Sequence, residues 1–210
     1  MLKINEIYAS IQGESSHTGL PCVFIRLTGC NLRCSWCDTA YAFYEGNDLT
    51  IEETLQKVET FGLGLVEITG GEPLLQEDVY PLMEALLKKG YRVMLETGGA
   101  LPIDKVPEKV IKILDVKCPG SGEEKKNHLE NLKLLSPHDE VKFVLLDRTD
   151  YEWSRDLLQK HDLPTQVLFS PVYDKLNLKD LVQWILEDRL PVRLQTQLHK
   201  VIWSKDTIGV

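Results

Sequence analysis

The chain has 210 residues, 43% hydrophobic and 27% charged, with 14 Gly, 10 Pro and 5 Cys; that composition excludes a disordered segment, a collagen-like repeat and a disulfide-stapled miniprotein. Its 24 Lys+Arg stand against 32 Asp+Glu, a net charge of −8, which argues against direct nucleic-acid binding, and no apolar run approaches the roughly 20 residues of a membrane span. The opening Met1-Leu2-Lys3-Ile4-Asn5-Glu6 lacks a signal peptide's apolar stretch, so one domain over residues 1–210 is expected, in the cytoplasm, with reduced thiols.

Short apolar runs rich in β-branched residues predict strands at Ile4–Ser10, Val23–Thr28, Leu65–Thr69, Tyr91–Glu96, Ile111–Val116, Glu140–Leu145, Thr165–Ser170 and Pro191–Leu194. Helical patterns lie between most of them. The first starts at Thr50, where Thr50 and Glu53 have capping-box spacing. The second runs over Gln76–Lys89, with Val79, Leu82, Met83, Leu86 and Leu87 on one face and Gly90 as its stop. Glu124–Leu135, Asp150–Lys160 and Leu178–Glu187 read as three more. Strand–helix alternation implies an α/β fold, a mostly parallel sheet with helices outside, and in such folds chemistry gathers where strands end. Cys30, Gly70-Gly71-Glu72-Pro73 and Thr97-Gly98-Gly99 each follow a predicted strand.

Three of the five cysteines, Cys30, Cys34 and Cys37, fall within eight residues in C-x3-C-x2-C spacing. Thiolates crowded this closely repel one another unless a cation sits among them, so the loop reads as a metal site. A four-iron cluster normally takes four cysteines, and three local ones leave an iron open for a small molecule. Structural zinc with His17 as fourth ligand is the alternative, although zinc sites usually present paired C-x2-C units. Cys22 in a strand and Cys118 between Lys117 and Pro119 read as non-ligands, and His17, His128, His138 and His161 as solvated.

With Trp36 before the last cysteine and Gly70-Gly71-Glu72-Pro73 downstream, the chain resembles the radical S-adenosylmethionine superfamily. It resembles in particular the 7-carboxy-7-deazaguanine synthase family, over nearly its whole length. The pieces are Ile11-Gln12-Gly13-Glu14-Ser15, Phe24-Ile25-Arg26, Gly29 to Thr39, Glu96-Thr97-Gly98-Gly99, Glu140 to Val144 and Gln195-Thr196-Gln197-Leu198-His199-Lys200. Where relatives often read Thr-Asn-Gly this chain has Thr97-Gly98-Gly99, losing the middle side chain. The fold implied is a partial, TIM-like barrel.

The resemblance implies a lyase that contracts 6-carboxy-5,6,7,8-tetrahydropterin to 7-carboxy-7-deazaguanine with loss of ammonia, by hydrogen abstraction at C6, on the route to queuosine and other deazapurines. It implies a 4Fe-4S cluster on Cys30, Cys34 and Cys37, S-adenosyl-L-methionine on the open iron, and Mg²⁺ at Thr39 with the substrate carboxylate. An oxygen ligand suits magnesium, though Thr39 would equally cap a short helix. Gln12, Gly13, Glu14, Arg26 and Thr97 are the expected substrate contacts: amide and carboxylate for a guanine-like edge, guanidinium for a carboxylate or carbonyl. A polar turn and a surface ion pair are the bland alternatives for Gln12–Ser15 and Arg26. Trp36, Cys37, Asp38, Gly70, Gly71, Glu72, Gly99, Lys142 and Ser170 are expected to bind S-adenosylmethionine, with Lys117 a weaker candidate, and His199-Lys200 to close the pocket. A homodimer and an external flavodoxin- or ferredoxin-type electron donor are also implied. The rivals are a glycyl-radical-enzyme activase, which shares the cysteine loop, the Gly-Gly-Glu-Pro turn and an Asp115-Val116-Lys117-like element, and a non-catalytic zinc-binding module.

Overall fold

The period-two segments pair into one sheet. The computed structural model describes residues 1–205 and 207–210. Leu2–Ile11 (β1) and Pro21–Leu27 (β2) run antiparallel, and Asn47–Leu49 (β3) joins the outer edge of β1. From β2 onward the neighbours are parallel: Leu65–Gly70 (β4), Arg92–Thr97 (β5), Ile111–Asp115 (β6), Glu140–Leu145 (β7), Gln166–Pro171 (β8) and Arg193–Leu194 (β9). The order is β3-β1-β2-β4-β5-β6-β7-β8-β9, so β3 and β9 are edges and the barrel is incomplete. No helix among the described residues is long and apolar enough to cross a membrane.

Four longer helices cover the outer face: Ile51–Glu59 (α1), Val79–Lys88 (α2), Arg148–Lys160 (α3) and Leu178–Asp188 (α4). The capping box forms as the spacing predicts: Thr50 accepts from the Glu53 amide and Glu53 from the Thr50 amide. Buried Val58, Leu82, Leu86 and Leu181 meet outward strand residues such as Ile25, Ile68, Val93 and Phe143 in one large apolar core. The alternate strand positions point inward, where Cys22, Phe24, Leu65, Met94 and Ile113 make a smaller apolar plug. Above that plug the inner face turns polar.

The structure departs from expectation in three places. Glu124–Leu135 is not an α-helix but two short 3₁₀ pieces, Glu124–Lys126 and Leu129–Leu134. Two asparagine side chains compete for the backbone there. Asn127 brackets Lys117, accepting from its N–H and donating to its C=O, both at 2.9 Å, and Asn131 donates to Leu101 O and accepts from Ile103 N. α2 begins at Val79 rather than Gln76, because the Gln76 amide is held by Lys3 and Thr28. β3 and a short helix, Leu198–Ile202 (α5), carry no period long enough to read.

Candidate active site

A cavity of about 770 Å³ opens on the inner face at the C-terminal ends of the parallel strands. The Cys30–Cys37 loop forms one wall. It is tied to the segment after β6: the Arg33 amide donates to Glu123 Oε1 at 2.7 Å, the Ser35 amide to Ser121 O at 3.0 Å, and Ser35 Oγ to Gly120 O at 2.9 Å. Arg33 lies over the Phe43 ring. Cys30, Cys34 and Cys37 are free thiols lining the cavity, whereas Cys22 and Cys118 are buried. Burial pushes the Cys30 and Cys34 thiols up, and a nearby carboxylate and the Cys37 sulfur add to it in each case, against Lys117. A strong cation would be needed to keep both as thiolates. No three His, Cys, Asp or Glu side chains among the described residues are disposed around a single ion. Three sulfurs on a tetrahedral zinc with bonds of about 2.3 Å must nearly touch; three sulfurs that share a wall without converging fit a cluster that each thiolate meets at its own iron.

The Gly-Gly-Glu-Pro turn packs under this loop. Gly70 has φ +146°, and a β-carbon there would overlap Leu27 O; one at Gly71 would sit 2.6 Å from Cys30 Cβ. Glycine therefore lets β4 end against the cysteine loop. Glu72 is fully buried and accepts from Leu74 N, Gly98 N and Thr97 Oγ1, the last two at 2.8 and 2.9 Å. Burial raises its carboxyl and those bonds oppose the rise. Glu72 is thus a brace joining β4 to β5 and does not line the cavity; Gly99 and Ser170 are also off its wall. Thr97 lines it, but its hydroxyl hydrogen is committed to Glu72. The unusual Gly98 has a local partner: a β-carbon there would sit 2.8 Å from Leu32 Cδ1, so Leu32 occupies space an asparagine would need.

Gln12, Gly13, Glu14 and Arg26 line the cavity together with Trp36, Asp38 and Thr39. Gln12 is inward and buried, its Oε1 accepting from Glu14 N at 2.8 Å and Ser15 N at 3.1 Å. Arg26 is no surface ion pair. It donates to Glu6 Oε1 and Tyr8 OH, both at 2.7 Å, beside the Tyr8 and Tyr41 rings. Thr39 makes no side-chain cap to the 3₁₀ turn it precedes, and its hydroxyl donates to Asp38 Oδ1 at 3.0 Å. Burial works against the Asp38 charge, but Lys200 at 2.6 Å, with Gln197 and Thr39, holds its carboxyl well below the usual range.

Lys142, expected to meet S-adenosylmethionine, is engaged by carboxylates. Its ammonium pairs with Glu96, with Glu14 at 3.1 Å and with Asp115 at 3.6 Å. Burial opposes that charge, yet the three acids keep it well above the ordinary lysine value. Lys142 also helps hold Glu14 ionised against burial. Lys117 pairs with Asp115 at 3.0 Å near Cys34. His199 is where the closing residue was expected, over Gly13, and Gln197 spans Glu14 and Asp38. His17 is not solvated: its side chain is mostly covered, 3.9 Å from Glu140. Sequence reasoning missed Tyr8, Tyr41, Glu67 and Glu96. For Tyr8, Glu67 and Glu96 the readable signal was a charged or aromatic residue at an inward position of an otherwise apolar strand; Tyr41 lies on the short 3₁₀ turn Ala40–Phe43.

Residues 24–120 match the model of the Radical SAM superfamily. The chain is 49% identical to the 7-carboxy-7-deazaguanine synthase of Koribacter versatilis, with 100% of both chains covered. It is 45% identical to that of Chlorobaculum tepidum, covering 100% of this chain and 97% of the relative. This chain belongs to the 7-carboxy-7-deazaguanine synthase family. The solved structure of QueE from Escherichia coli superposes with a TM-score of 0.77 at 25% identity, covering 93% of each chain. Family membership brings the radical S-adenosylmethionine partial barrel, and with it a 4Fe-4S cluster and S-adenosylmethionine as cofactors.

Proposed function

We propose that this protein is a 7-carboxy-7-deazaguanine synthase, a radical lyase that contracts 6-carboxy-5,6,7,8-tetrahydropterin to 7-carboxy-7-deazaguanine and releases ammonia. The observation that carries the reading is that the three loop cysteines share one cavity with Gln12, Glu14 and Arg26. Cys30, Cys34 and Cys37 would hold the cluster, with Trp36, Gly70 and Gly71 beside S-adenosylmethionine. When bound, cluster and S-adenosylmethionine supply the one-electron chemistry that acid–base side chains lack.

The chain's own residues then bind, orient and shield. Arg26 is fixed through Nε and Nη2, and its Nη1 has no protein partner among the described residues, leaving donors for the substrate carboxylate or a ring carbonyl. Glu14, kept ionised by Lys142 and steadied by Gln197, offers an acceptor to an N–H edge. The Thr39 oxygen keeps lone pairs for Mg²⁺, which would neutralise the substrate carboxylate. Leu198 N donates to Gly13 O at 3.1 Å, drawing the C-terminal segment over the cavity and limiting water. The proposal extends to a homodimer, a flavodoxin- or ferredoxin-type donor, and the cytoplasm, where thiols stay reduced.

The test is anaerobic reconstitution and turnover with the carboxytetrahydropterin, S-adenosylmethionine, reductant and Mg²⁺. Formation of 7-carboxy-7-deazaguanine with 5′-deoxyadenosine is expected. Absence of the deazapurine at every Mg²⁺ concentration would overturn the reading.

A further inference from the structure

One buried acid in the cavity has no role so far. Glu67 sits on an inward position of β4, 2% exposed, and lines the cavity. It is in register with Phe24 on β2, as Thr69 is with Arg26. Two residues along a strand place it roughly 6–7 Å deeper than that layer. Glu67 is therefore part of the cavity floor, directly above the apolar plug.

Its hydrogen bonding is one-sided. Gln12 Nε2 donates to Glu67 Oε2 at 2.7 Å. The orientation of that amide is fixed, because Gln12 Oε1 already accepts from two backbone N–H groups, those of Glu14 and Ser15. Oε2 must then be an acceptor. Oε1 has no protein partner among the described residues, and it is not one of the sealed, unpartnered oxygens either.

The charged surroundings settle which form of the carboxyl belongs there. Tyr8 faces it from β1, Glu14 from the segment after β1, the Cys22 thiol from β2, Glu96 from β5 and Lys142 from β7. Lys142 is engaged by Glu14, Glu96 and Asp115; its charge opposes the rise at Glu67, but no cation among the described residues pairs with Glu67. A third carboxylate beside Glu14 and Glu96, buried and without a cation of its own, is strongly disfavoured. Burial, then Glu96, then Glu14 push its carboxyl up to about 8. With Oε2 accepting from Gln12, the retained proton belongs on Oε1, the oxygen left to the cavity.

We propose that Glu67 is a direct substrate contact, a neutral carboxyl on the cavity floor whose Oε1–H donates to a ring nitrogen or ring carbonyl of the bound nitrogen heterocycle. It complements Glu14, which offers only acceptors. The inference rests on the pterin reading above and deepens it, assigning a floor contact that reads an acceptor on the ring.

Two variants of the reconstituted holoenzyme test it: Glu67→Gln, which keeps an acceptor for Gln12 and a donor for the cavity, and Glu67→Val, which keeps neither. Substrate Kd is measured without reductant, where no turnover occurs, and KM and kcat with it; cluster absorbance and thermal melting report folding. Glu67→Val should raise Kd and KM about tenfold, the ratio for one hydrogen bond between buried groups, with a smaller change in kcat. Glu67→Gln should restore most of that affinity at neutral pH. Wild-type affinity should fall as pH rises through about 8, when Oε1 loses its proton, and Glu67→Gln should remove that fall. Unchanged Kd in a folded Glu67→Val protein would overturn the proposal, as would a Gln variant as weak as the Val variant, which would mean that the ring needs the carboxylate. Wild-type enzyme that makes no deazapurine would overturn the underlying reading instead, so the two failures are distinguishable.

Discussion

The two faces of the sheet are built from alternate residues of the same strands, yet they hold different chemistry. Outward, β2 and β4 present Val23, Ile25, Val66 and Ile68, all buried with no accessible surface. Inward, the same strands present Arg26, Glu67 and Thr69, every one on the cavity wall. The outer face contributes through non-directional apolar burial, spread over many contacts. The inner face works through few, directional pairs in which each partner depends on the next. Change should therefore be absorbed outside and felt at once inside.

Cysteine substitutions give the largest effect and the sharpest contrast. Cys34→Ala should abolish the cluster spectrum and all product formation. Cys22→Ala, a buried inward thiol in the apolar plug, should leave the cluster absorbance intact. The opposite pattern would mean that the cysteine loop is not the cluster site.

Lys142→Met tests whether an inner residue also supports the fold. Removing one partner of a buried ion pair costs about 3–5 kcal/mol, and here Glu14 and Glu96 would lose their ammonium partner while Asp115 keeps Lys117. In the wild type the Glu14 carboxyl is held below its ordinary value; it contributes stability above the unfolded pKa of about 4.3, lost as pH falls through the folded value. In the variant that contribution is absent, and the orphaned acids take up protons as pH drops. Denaturant melts should show the gap between variant and wild type narrowing as pH falls below about 4.3, through the folded value of Glu14. A constant gap would break this account of the cluster.

Leu82→Ala on α2 probes the outer core. It should destabilise the fold by about 2–5 kcal/mol, seen as a lower Tm, while the folded fraction keeps its substrate Kd and cluster spectrum. A specific loss of affinity in that variant would mean that the two faces are not separable.

Much of this contrast is legible along the chain, because burial on one side of a strand writes a period of two and a covering helix writes 3.6. Val23–Thr28, Leu65–Thr69 and the α2 stripe are visible that way, and Thr50 with Glu53 marks α1. Glu124–Leu135 misled for a physical reason: its asparagines bond across to the loops at Leu101 and Lys117, neighbours that sequence does not reveal. Lys142 shows the same limit. Three carboxylates from other segments meet this lysine inside β7, and the sequence does not display them.

The linear chain by itself determined the α/β alternation, the three-cysteine loop and the family. These depend on spacing between near neighbours, which a sequence displays directly. Only the tertiary structure decided that Glu72 braces β4 to β5, that Lys142 is engaged by Glu14, Glu96 and Asp115, and that Glu67 lies buried on the cavity floor with Gln12 as its partner. Protonation and hydrogen-bond commitment depend on which groups share a buried volume, and those groups come from strands far apart in the chain.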